Sequence, residues 1–127
     1  MGRTDQRRAA MVALYQLDVT GRPIDDLVSR DASSFTHDLV DGVLEFREEL
    51  DDLIERFAQG WALDRIAPLE RAILRVAIFE MLHRDDVPDE VAIDEAVEAA
   101  KELCAAEAPA FVNGILGAVK QAEVTPQ

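Results

Sequence analysis

The sequence predicts an all-α fold, and three observations predict it. The first is the stretch PLERAILRVAIFEMLH, residues 68–83, which is apolar between Leu69 and Leu82 except at Glu70, Arg71, Arg75 and Glu80. At helical pitch those four do not gather on one face, and a helix that is apolar nearly all round belongs inside a bundle. It is about 24 Å long, too short and too often charged to span a membrane. The second is apolar spacing of helical period in several other stretches. The third is that no strand alternation, internal repeat or low-complexity linker interrupts them.

Taken in order, Ala10, Ala13, Leu14 and Leu17 mark a first amphipathic helix, which Gly21 and Pro23 end. A short helix is expected over 24–29. Ser33 or Ser34 then caps a long helix. Its seam, Leu39, Val43, Phe46, Leu50, Leu53 and Phe57, alternates spacings of four and three, which predicts packing against neighbouring helices. Gly42 is expected to bend this helix and Gly60 to follow its end. Trp61 is expected as a buried anchor. Pro68 suits a first helical turn, and the polar residues after His83 with Pro88 stop the central helix. Asp94 predicts the cap of the next helix, on which Ala96, Ala99 and Leu103 follow one line and Val97, Ala100 and Cys104 another. Pro109 opens a last helix with Val112, Ile115, Leu116 and Val119 inward. Gly114 and Gly117 within it predict close packing or a surface that something approaches.

A net charge of −13 excludes a protein that is basic as a whole. Residues 1–8 nevertheless carry Arg3, Arg7 and Arg8 against Asp5 alone. Cations at a helix start oppose the macrodipole, so removing them is expected to leave stability unchanged or slightly raised. Two readings follow: a grip for an anion, or a solvated basic tail. Arg75 and Glu80 are expected to form an internal polar pair or network. Cys104, the single cysteine, predicts a small core hydrophobe and a chain without an internal disulfide. No signal-peptide pattern precedes the first helix. His37 and His83 have no second ligand at metal spacing, and the sequence has no cysteine pair, phosphate loop or nucleophile elbow. The expectation is a non-enzyme with no metal and no cofactor. A phosphotransfer histidine at His37 is the enzyme-class alternative, but it lacks the nearby lysine of such sites.

Five blocks then stand out: RRAAMVALYQLD, FTHDLVDGVLE, ERAILRVAIFE, DVPDEVAIDEAVEAAKEL and FVNGIL. In this order and spacing the sequence resembles the NusB family of bacterial transcription antitermination factors, over residues 3–119. The resemblance implies about seven helices in two packed sub-bundles, forming one RNA-binding domain over 1–127. It implies a cytoplasmic protein that binds the boxA RNA of ribosomal RNA leaders as a heterodimer with ribosomal protein NusE. It further implies entry into the RNA polymerase antitermination complex.

Residue by residue, Arg3 and Arg7 match the family's arginine-rich motif, with Arg8 beside them. Phe111 and Asn113 match the FVNG block, and Glu107 lies in the preceding loop linked to RNA contact. Tyr15, Asp64 and Glu70 match the surface that faces NusE. Phe111 is open to a second reading as ordinary core. Thr4, Asp5 and Gln6 thin the arginine motif, and the stretch 104–110 has no basic residue. Such families also self-associate over this motif, so a homodimer is a further expectation. The alternative function is a helical adaptor that binds proteins only.

Overall fold

The computed structural model describes residues 2–124, with side chains to 122. Seven α-helices lie within them: α1 (Arg3–Thr20), α2 (Ile24–Leu27), α3 (Ser34–Glu45), α4 (Arg47–Phe57), α5 (Pro68–His83), α6 (Asp89–Leu103) and α7 (Ala108–Val124). A 3-10 turn, Leu63–Arg65, leads into α5. Among the described residues there is no strand, and no helix is long and apolar enough to cross a membrane.

The central helix forms where expected, with Pro68 in its first turn. Nine successive residues, Ala72 to Glu80, are buried, because α5 is enclosed by α1, α3, α4, α6 and α7. Helices α1 and α3 pack on each other and on α5, while α6 and α7 pack on each other and on α5. The two groups share α5, and α4 bridges α5 and α7. Ala96, Ala99 and Ala100, all fully buried, let the backbone of α6 come close to its neighbours.

Four local expectations are corrected. The long helix over 34–57 is broken at Phe46 (φ −102°, ψ 18°), which ends α3 and caps α4. Its ring is drawn into a stack with His83, centroids 3.9 Å apart, and with Phe79 at 6.2 Å. Gly42 lies within α3 and does not interrupt it. It makes room for Phe79, whose ring would collide with any Cβ placed there. Trp61 is not buried: it is 54% exposed. Ala58 takes the core position instead, and the left-handed pair Gln59 (φ 50°) and Gly60 (φ 93°) turns the chain outward. Helix α6 begins five residues before Asp94, since the Pro88 carbonyl already accepts from the N–H groups of Val91 and Ala92. Ser33 does cap α3, its hydroxyl accepting from the Thr36 N–H at 3.1 Å. Gly114 and Gly117 lie on the open surface, with nothing near enough to meet an added Cβ.

Candidate nucleic-acid interface

The first turns of α1 carry the arginines, and distant parts of the chain, from α5 onward, supply their counter-charges. Arg7 donates from Nε to both carboxylate oxygens of Glu80, at 2.9 and 3.0 Å, and from Nη2 at 2.9 Å. Both side chains are buried, at 4% and 1% exposure. Burial pushes the Glu80 carboxyl up, and the Arg7 guanidinium draws it back. Arg7, expected to grip a phosphate, has its guanidinium buried on Glu80 with no open face. Arg75 and Glu80 are both buried in internal polar networks of the hub, as expected, but they do not pair with each other. Arg75 instead bridges Asp18, at 2.6 Å, and Asp51, at 2.7 Å, tying α1 and α4 to α5.

Arg3 and Arg8 reach solvent. Arg3 donates to Asp86 at 3.0 Å, with nearly half of its side chain exposed. Arg84 holds the same carboxylate through two nitrogens and reaches Asp38 at 3.1 Å. Arg84 and then Arg3 pull the Asp86 carboxyl down to about 2. The guanidinium carbons of Arg3, Arg7 and Arg84 lie 4.1, 5.2 and 5.2 Å from the centre of the Phe35 ring, so one aromatic ring gathers three cations. Arg8 pairs with Glu102 at 2.8 Å, and its Nε is buried without a partner. Arg84 is missed by sequence reasoning. It stands 81 residues from Arg3, in a charged turn that gives no periodic signal.

A second feature lies at the start of α7. Phe111 is half-buried and meets Trp61 edge to face, ring centres 6.4 Å apart. Trp61, Arg65, Glu70, Glu107 and Phe111 line an open cleft of about 360 Å³. Burial lifts the Glu70 carboxyl above its ordinary value, and the charge of Glu107 lifts it further. Burial also pushes the Cys104 thiol up, with Glu70 adding to it. Asn113 is exposed in a different groove, between α6 and α7, with Asp94 and Lys101. Tyr15 is half-buried against the core. Asp64 lies in a third depression with Asp18, Arg71 and Arg75, so Asp64 and Glu70 do not share a pocket.

An enclosed central helix, with polar tethers running from it to α1 and α4, defines a class: the small all-α bundle proteins organised on one buried hub helix. Within that class, the chain belongs to the NusB family, whose sequence model matches residues 4–121. It is similar to the transcription antitermination protein NusB of Symbiobacterium thermophilum, 40% identical over 94% of this chain and 89% of that protein. The solved structure of T. maritima NusB superposes with a TM-score of 0.87 at 30% identity, covering 96% of this chain and 92% of that one. A structure of the antitermination factors NusB and NusE in complex with double-stranded RNA contains a chain that matches with a TM-score of 0.83. That match is at 27% identity and covers 94% of this chain and 96% of the other.

Proposed function

We propose that this protein is a non-enzymatic transcription antitermination factor of the cytoplasm, a single RNA-binding domain over 1–127. In this reading it binds boxA RNA of ribosomal RNA leaders together with NusE and joins the RNA polymerase antitermination complex. One observation carries the RNA arm: Arg3, Arg7 and Arg84 gather round one ring, with Arg8 beside them on α1, in a protein whose net charge is −13. Family membership and the NusB–NusE–RNA relative support the same reading.

Arg3 and Arg8 hold phosphates, and Arg7 positions them by fixing the first turn of α1 on Glu80. Glu107, Phe111 and Asn113 meet the bases. Tyr15, Asp64 and Glu70 face NusE. Ribosomal proteins are mostly basic, and the acidic body of this chain would steer such a partner toward it.

A second reading has an observation of its own. Arg3, Arg7 and Arg8 are each already paired with a carboxylate, which suits an adaptor that binds proteins only. Gel shifts with boxA and scrambled RNA, each with and without NusE, separate the two. Antitermination predicts selective retardation of boxA in the presence of NusE. The adaptor predicts no discrimination between the RNAs.

A further inference from the structure

The cleft between the α4–α5 connection and α7 holds an exposed aromatic ring and a cation with no role in the RNA grip of α1. We propose that Trp61 is the platform of a stacking subsite for one unpaired base of the bound RNA, with Arg65 holding an adjoining phosphate. This rests on the RNA reading and adds a residue and a chemistry to it.

Trp61 is the only tryptophan of the chain and is 54% exposed. It is not a loose side chain on a free loop. Its backbone N–H donates to the Ala58 carbonyl at 3.2 Å, and the edge of one ring stands against the other in the pair with Phe111. A braced aromatic beside a cleft of about 360 Å³ offers a flat surface at the scale of a nucleobase. Bases of every kind stack on such a surface.

The charges around the cleft sort the parts of a nucleotide. Arg65 lines the cleft, and Arg56 lines the adjoining groove on the other side of Trp61. Neither has an ion pair among the described residues, whereas Arg3, Arg7 and Arg8 are all compensated. Glu70 and Glu107 stand in the same cleft as Arg65. Of the two, Glu107, which the RNA reading assigns to the bases, repels a phosphate but accepts hydrogen bonds from the amino groups of a base edge, while Glu70 is left to NusE. The base therefore enters and the backbone stays outside, within reach of Arg65. The adjoining groove is floored in part by Gly114, where an added Cβ would meet nothing, so the next nucleotide finds open space.

Intrinsic fluorescence reads the subsite directly. The complex with NusE is titrated with single-stranded boxA RNA, following tryptophan emission corrected for NusE, while gel shifts measure affinity for wild type, Trp61→Ala and Trp61→Phe. Stacking predicts quenching on RNA addition. It also predicts roughly 5- to 150-fold weaker RNA binding by Trp61→Ala, near-complete rescue by Trp61→Phe, and unchanged NusE affinity in both. Exposure of the ring makes loss of fold in these variants unexpected, and circular dichroism checks it. Wild-type RNA affinity in Trp61→Ala, with the wild-type protein still shifting boxA, overturns the subsite and leaves the antitermination reading standing. Emission that responds to NusE and not to RNA places Trp61 in the protein interface and overturns it as well. A wild-type complex that fails to bind boxA overturns both.

Discussion

Arg7 and Glu80 form a buried fork, with three hydrogen bonds of 2.9–3.0 Å joining residues 73 positions apart. The pair fastens the first turn of α1 to the hub helix. Arg7→Met leaves the Glu80 carboxylate buried and uncompensated. It should cost about 3–5 kcal/mol in urea melts. Arg7→Met with Glu80→Met should recover most of that loss. The helix macrodipole alone predicts the opposite sign for removing Arg7. Here the broken ion pair outweighs it, since a surface dipole interaction is worth only about 0.3–1 kcal/mol.

Gly42 tests packing in the same region. Alanine would gain up to about 1 kcal/mol of helix propensity, but overpacking typically costs about 1–3 kcal/mol. The Phe79 ring that would have to move is held by stacks with Phe46 and His83. Gly42→Ala should therefore lose about 1–2 kcal/mol net. A thermal melt at or above the wild-type Tm would mean that Phe79 yields freely.

The hub helix is legible in the sequence because nothing but enclosure accounts for an apolar run with polar residues scattered round it. The break at Phe46 is not legible, since the four-three spacing runs through it without a proline and the glycine lies four residues earlier. Trp61 carries the wrong signal. Size and apolarity predict burial, and its outward turn depends on Gln59 adopting a left-handed backbone beside Gly60. The arginine motif is visible as charge. Its compensation is not, because Asp86, Glu80, Glu95 and Glu102 reach it through the tertiary fold. For the same reason Arg75 and Glu80 read as one pair or network, whereas Glu80 holds the first turns of α1 through Arg7, and Arg75 holds Asp18 near the end of α1 and Asp51 on α4.

Glu70 makes stability pH-dependent with a defined sign. Its folded carboxyl titrates above the ordinary value of 4.5, so the folded state binds this proton more tightly than the unfolded chain. Its contribution to stability thus falls as pH rises from 4.5 through the raised value. Glu70→Gln should melt higher than wild type at pH 7, and the difference should vanish near pH ~4. A variant less stable than wild type at pH 7 would show that Glu70 is held by favourable interactions.

Tyr15 is proposed as the aromatic anchor of the NusE surface. Tyr15→Ala should weaken NusE binding by about tenfold or more, with helical content by circular dichroism unchanged. Calorimetry returning the wild-type affinity would move the interface off α1.

The salt dependence of boxA binding by the NusE complex tests the RNA-gripping role of the α1 arginines most directly. Arg3→Ala with Arg8→Ala should weaken binding, and the log–log slope against salt should fall by about 0.7 for each phosphate no longer neutralised. NusE affinity should hold. Asp86→Asn, which removes the carboxylate shared by Arg3 and Arg84, should tighten binding at low salt. If the double variant binds boxA with the wild-type affinity and slope at every salt concentration, the arginine end of α1 does not hold the RNA.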